Sequence, residues 1–125
     1  AIDLNEEILT ELKNKYQDKI TTIIGGSEEA KNEVRSADLV VGAVLLPGRK
    51  PPVVITEEDI DQMEKGTVII DVAIDQGGCV ENVKPNTHSE PFEIRNGVII
   101  SAIANLPGAV PKTSSIELST ILQNR

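Results

Sequence analysis

Thr67-Val-Ile-Ile-Asp-Val-Ala-Ile-Asp-Gln-Gly-Gly-Cys79 decides how the rest of the chain reads. Val68 to Ile70 is an unbroken apolar run between polar breaks. That is the pattern of a strand buried on both faces, as in a parallel sheet covered by helices. The strand reads as continuing to Asp75, with Asp71 inside its end and Gly77-Gly78 directly after it. Ligands of open α/β sheets bind just outside the carboxyl ends of such strands. Glycine lets a ligand come close to the backbone. Asp75 therefore stands where chemistry is usually done, whereas Asp71 reads as a structural hydrogen-bonding group.

Working outward, a strand end at Ala1-Ile-Asp-Leu4 leads to Asn5, a good N-cap, followed by Glu6 and Glu7 in the first turn of a helix. Leu4, Ile8, Leu12 and Tyr16 give that helix an apolar stripe. Lys19 to Ile24 is β-branched and predicts a strand that Gly25-Gly26 ends. Ser27 caps a short helix through about Ser36, with Ala30 and Val34 inward. Asp38 to Leu46 predicts a second buried strand, broken at Pro47-Gly48. Thr56 and Asp59 form a capping box for a helix to Lys65, with Gly66 as its stop. Asn82 to Pro91 is a loop. Phe92 to Arg95 and Val98 to Ile100 face each other across Asn96-Gly97, the strongest short hairpin signal. The second of these strands continues through Ala104 to Asn105-Leu-Pro-Gly108, and a last helix capped near Thr113 to Ser115 carries Ile116 to Gln123. Strands alternating with helices predict an α/β fold with a mainly parallel sheet.

The 125 residues suffice for one domain with one moderate core. Aromatic residues are only 2% of the chain, so Val, Ile, Leu and Ala must build that core. The net charge of -8 argues against a nucleic-acid partner, which needs clustered Lys and Arg. Phosphate binding through backbone amides needs no positive charge and stays open. No apolar run approaches the ~20 residues of a membrane span, and Ala1 to Glu7 has no signal-peptide pattern. With a single cysteine, Cys79, the expectation is a soluble cytoplasmic protein without membrane contact.

Several residues carry two readings. Asp3 at a strand's end is either a helix-starting residue or the carboxylate that holds an adenosine ribose in dinucleotide folds. Gly42 to Gly48 is either a tight turn or a wall for a flat ring or ribose. Asp75 is either a loop anchor or a reactive carboxylate, and the lack of a helix directly after it favours the second. His88, the only histidine, reads as a solvated loop residue with no companion for a metal site. Cys79 reads as a packed thiol.

Taken together, Ala37 to Gly48, Asp71 to Cys79, Thr87-His88 and Ala104 to Ser114 resemble alanine dehydrogenase, in that family's order and spacing, over essentially the whole chain. Proton-translocating nicotinamide nucleotide transhydrogenase is the runner-up, since Leu46 to Arg49 is similar to it but Asp75-Gln-Gly-Gly78 is not. The resemblance implies about half of an enzyme that interconverts L-alanine with pyruvate and ammonia using NAD, working as a homo-oligomer. Residues 1–125 would be the later part of its Rossmann-type NAD-binding domain. The first strand–turn–helix unit and a catalytic N-terminal domain would lie outside this sequence. By resemblance, Asp3 holds the adenosine ribose, and Val44, Leu45 and Val54 wall the cofactor cleft. Val72 and Asp75 lie beside the nicotinamide and its ribose, and Ile103, Asn105 and Leu106 position the nicotinamide end. Asp75 is the catalytic aspartate, and no metal is implied. A non-catalytic nucleotide-binding module is the alternative.

Three expectations follow. In the strand order 3-2-1-4-5-6 the missing strand is the central one. The strands at Ala1–Leu4 and Leu39–Leu45 should therefore pair directly or take a strand from another chain, unless Ala1 is not where the molecule starts. Asp75 and Asn105 should lie close together along the carboxyl edge of the sheet. The chain alone should neither turn over alanine nor hold NAD.

Overall fold

The computed structural model describes residues 1–123. Its strands are β1 (Ile2–Asp3), β2 (Ile23–Ile24), β3 (Leu39–Gly42), β4 (Val68–Asp71), β5 (Glu93–Arg95) and β6 (Val98–Ser101). Its helices are α1 (Glu6–Tyr16), α2 (Glu28–Ser36), α3 (Glu57–Gln62) and α4 (Pro111–Gln123). The strands form two sheets: β1 beside β2, parallel, and a four-stranded sheet in the order β3-β4-β6-β5. In the larger sheet β3, β4 and β6 run parallel and β5 returns antiparallel to β6. The mainly parallel Rossmann-type sheet with flanking helices read from the sequence is the fold observed.

The local signals act as their chemistry requires. Asn5 Oδ1 accepts from the Glu7 and Ile8 amides, and Ser27 Oγ accepts from the Ala30 amide. The Thr56–Asp59 capping box is complete. Asn96 at φ 50° and Gly97 at φ 89° make the left-handed pair that turns β5 back onto β6. The core between α3 and the sheet gathers Ile55, Ile60, Met63, Ile69, Val80, Val98 and Ile100, with Val34 and Val40 packed at its margin. Two arginines tie it together. Arg35 of α2 pairs with Asp59 of α3 at 2.8 Å. Arg95 joins Glu57, Glu93 and the carbonyls of Glu81 and Asn82. Burial alone would push the Asp59 carboxyl up, but the Thr56 amide and hydroxyl and the Arg35 guanidinium together hold it below the usual range.

Several boundaries differ from expectation. β4 stops at Asp71 rather than Asp75, because the chain turns at Ala73 into a single 3-10 turn over Ile74–Gln76. β3 stops at Gly42, β6 at Ser101 and α3 at Gln62, all short of the predicted ends. α4 begins earlier, at Pro111, a first-turn position that proline's fixed φ and missing N–H suit. The predicted stripe of α1 faces outward: Leu9 is its one buried residue, while Leu4 is 79% exposed. Direct pairing of the first strand with β3 does not occur. β1 bonds to β2 and β3 to β4, and no bond joins the two sheets. The apolar side chains of Ile2, Leu39 and Val41 are accordingly exposed.

Candidate functional site

Three parallel strands point their carboxyl ends the same way, and the register sets what emerges there. Gly42 of β3 lies opposite Asp71 of β4, and Ile70 of β4 lies opposite Ser101 of β6. Continuing past those pairs, Val44 and Leu45 leave β3, Val72 and Asp75 leave β4, and Ile103, Asn105 and Leu106 leave β6. All these predicted residues therefore share one edge. Asp75 and Asn105 meet directly: the Asn105 amide donates to Asp75 Oδ1 at 3.1 Å and to Oδ2 at 3.3 Å. Asn105 holds φ 54°, a left-handed conformation that asparagine tolerates and that turns the chain there. The expectation that these two residues lie together is met.

The loop behind Asp75 is organised by Asp71, which is fully buried. Its Oδ1 accepts from the Ala73 amide at 3.0 Å, and its Oδ2 accepts from the Cys79 amide at 2.8 Å and the Val80 amide at 3.1 Å. The Cys79 thiol lies 3.5 Å from Oδ1. The reading of Asp71 as a structural hydrogen-bonding group thus describes what it does, and Cys79 is a packed thiol. Burial, then the charge of Asp71 and the thiol's hydrogen bond to it, push Cys79 up to about 12. A thiol held protonated in the fold contributes stability below the unfolded cysteine value of about 8.5. That stability is lost as the pH rises through the folded value near 12. We expect alkylation of Cys79 by iodoacetamide at pH 8 to run far slower in the folded chain than in denaturant, measured by mass. Equal rates would contradict this placement.

The two glycines after Asp75 differ in role. Gly78 is buried, at φ 74°, and a Cβ there would collide with Val83 Cγ1 and fall 2.9 Å from Asp71 Oδ2. Gly77, read as backbone open to a ligand, instead lies under the stem of Lys50, whose Cγ is 3.0 Å from where its Cβ would be. Beside it, Leu45, Pro47, Gly48, Arg49 and Gln76 line an open cleft of about 270 Å3. Arg49, Lys50 and Gln76 were not singled out in the sequence. Only the three-dimensional return of the Pro47–Gly48 turn brings the first two to this loop.

The remaining predicted residues fall into two groups. Leu45, Val54 and Val72 are exposed apolar side chains, at 62%, 48% and 40%. Val54 reaches this neighbourhood because its amide donates to the Cys79 carbonyl at 2.8 Å. Asp3 belongs to the smaller sheet. Its Oδ1 accepts from the Asn5 amide at 2.8 Å and its carbonyl from the Gly25 amide at 2.8 Å, and it bonds to none of the residues around Asp75. The Asn5 bond steers the chain into α1, whose cap is Asn5 itself. Among the described residues, no three His, Cys, Asp or Glu side chains gather as a metal site. No helix there is long and apolar enough to cross a membrane.

A parallel sheet with helices around it, and a carboxylate with apolar neighbours at the carboxyl edge, define an α/β fold of the Rossmann class. Within it, the chain belongs to the alanine dehydrogenase/PNT family. The family model described as "Alanine dehydrogenase/PNT, C-terminal domain" matches residues 1–124. An alanine dehydrogenase of Bacillus subtilis is 46% identical over 121 residues, 96% of this chain and 32% of that protein. One of Staphylococcus haemolyticus is 45% identical over 119 residues, 94% of this chain and 32% of that protein. A solved L-alanine dehydrogenase superposes with a TM-score of 0.89 at 39% identity, covering 95% of this chain and 33% of the other. A transhydrogenase from Sinorhizobium meliloti superposes at 0.78 with 23% identity, over 99% of this chain and 36% of the other, which speaks to the fold alone. The chain spans about a third of the length of the relatives it matches, less than the half expected from its motifs.

Proposed function

We propose that residues 1–125 form the later half of the NAD-binding domain of an alanine dehydrogenase, with Asp75 as its reactive carboxylate. The observation that carries this reading is the meeting of Asp75 and Asn105 at the carboxyl edge of three parallel strands. NAD fits that edge: Leu45, Val54 and Val72 leave apolar surface uncovered there, as a flat ring requires, and Asp75 offers acceptors for ribose hydroxyls or a reacting proton. When bound, NAD supplies the hydride acceptor for oxidation of L-alanine to pyruvate and ammonia. The chain's own part is narrower. Val44, Leu45, Val54 and Val72 cover the ring and exclude water. Ile103, Asn105 and Leu106 set its position, and Asn105 orients Asp75. Asp3 supplies acceptors for the adenosine ribose. The cation that would neutralise the substrate carboxylate, and a second proton-handling group, belong to a catalytic N-terminal domain outside this sequence. The enzyme would be a cytoplasmic homo-oligomer.

The experiment is a chimera in which this chain replaces the matching third of the Bacillus subtilis enzyme. We expect alanine-dependent NADH formation from the chimera and none from the 125 residues alone. A folded chimera that binds NAD but makes no NADH from alanine would contradict the reading. Pyrophosphate binding in this fold relies on a Gly-x-Gly-x-x-Gly turn that the sequence does not contain. Each such charge-assisted hydrogen bond contributes about 1.5–3 kcal/mol. At about tenfold per 1.4 kcal/mol, the isolated chain should bind NAD no tighter than millimolar.

A further inference from the structure

Asp71 has a task beyond satisfying its own burial. The loop from Val72 to Val80 leaves β4 and returns to the core, and Asp75 sits on its exposed outer part. Both feet of that loop are held by the Asp71 carboxylate. The outgoing foot is held at the Ala73 amide and the returning foot at the Cys79 and Val80 amides. Asp71 is itself fixed in the sheet opposite Gly42, and the next amide, of Val72, donates to the Gly42 carbonyl at 2.9 Å. Between the feet, short turn bonds such as Gly77 to Ile74 and Gly78 to Ala73 shape the loop, and the Asn105 amide on Asp75 ties it to the segment after β6. Gly78 is pressed so close to Asp71 that any Cβ would collide with the carboxylate.

We propose that Asp71 is the positioning residue for Asp75: its buried carboxylate closes the loop at both feet and thereby aims the Asp75 carboxylate at the Asn105 amide. The inference rests on the reading of Asp75 as the reactive carboxylate, but its test needs neither NAD nor turnover. An asparagine at position 71 has one oxygen and one NH2 group. It cannot accept from amides on both sides, because wherever the NH2 falls it faces another donor. Asp71→Asn therefore opens one foot while changing the side chain's shape hardly at all.

The readout is the chemical shift of the Asn105 amide proton, measured by NMR at neutral pH. In the wild-type chain its bond to Asp75 moves it downfield, and Asp75→Ala removes the acceptor and so fixes the unbonded position. In Asp71→Asn we expect the Asn105 amide to move to that unbonded position while the Val98, Ile99 and Ile100 amides keep theirs. Gly78→Ala crowds the Asp71 carboxylate from the loop side and should give the same move, so the test stands even if Asp71→Asn does not fold. Val98→Ala, a plain core lesion, should leave the Asn105 amide at its bonded position. An unmoved Asn105 amide in a folded Asp71→Asn or Gly78→Ala chain would overturn the proposal. Failure of the dehydrogenase reading would appear only in the chimera.

Discussion

Asp75→Asn in the chimera lowers alanine-dependent NADH formation by about 10²–10⁴-fold, the range for removing a positioned proton-transfer group. The asparagine oxygen can still accept from the Asn105 amide, which the aspartate takes at 3.1 Å, so the loop keeps its place. The loss should fall on kcat, with the affinity for NAD little changed, because the substitution removes charge and proton transfer without touching the apolar wall. Steady-state kinetics with NAD titrated separately would show this. A variant with wild-type kcat would remove Asp75 from the chemistry.

Gly42→Ala destabilises the chain by about 1–3 kcal/mol, the usual cost of forcing a methyl into a packed interior. A Cβ at Gly42 would lie 2.5 Å from Cys79 Sγ, and that sulfur has nowhere to go because it is fully buried. The lesion belongs to a pair, so Cys79→Ala in the same chain should recover much of the loss. Residues in contact typically couple by about 0.5–3 kcal/mol in such cycles. Urea denaturation of the four proteins in the cycle measures it. Additive effects would mean that Gly42 is confined by something other than the thiol. The glycine's role here is steric, since the strand closes on its neighbour only if position 42 is bare.

The fold was legible where one signal had one physical meaning. The run Val68–Ile70 could only be a strand, although Ile69 alone of the three is buried and its neighbours are half-buried, Asn96-Gly97 could only turn, and the Thr56–Asp59 pair capped α3 as its chemistry demands. The order of strands then placed Asp75 and Asn105 on one edge. Boundaries were harder to read. Ala73 to Gln76 has the composition of a strand continuing, and only the pull of Asp71 on the Ala73 amide shows why the chain turns. The α1 stripe misled because periodicity marks a face without saying what covers it, and in the structure Leu9 is the residue turned inward. Asp71 itself was readable as a hydrogen-bonding residue. That it holds both ends of the loop was not, because its partners are backbone amides, which leave no trace in side-chain identity. Lys50 over Gly77 is likewise a product of chain geometry.

Val44, Leu45, Val72, Asp75, Ile103, Asn105 and Leu106 matter to NAD only if the cofactor meets the carboxyl edge of the three parallel strands. The direct measurement is amide chemical-shift mapping on the chain with NAD added into the millimolar range, where weak binding still registers. The predicted result is a footprint on Val44, Leu45, Val54, Val72, Asp75, Ile103, Asn105 and Leu106, with a second, smaller set at Asp3. Shifts confined to the cleft between α1 and β2, lined by Glu6, Leu9, Thr10, Lys13 and Ile24, would contradict it.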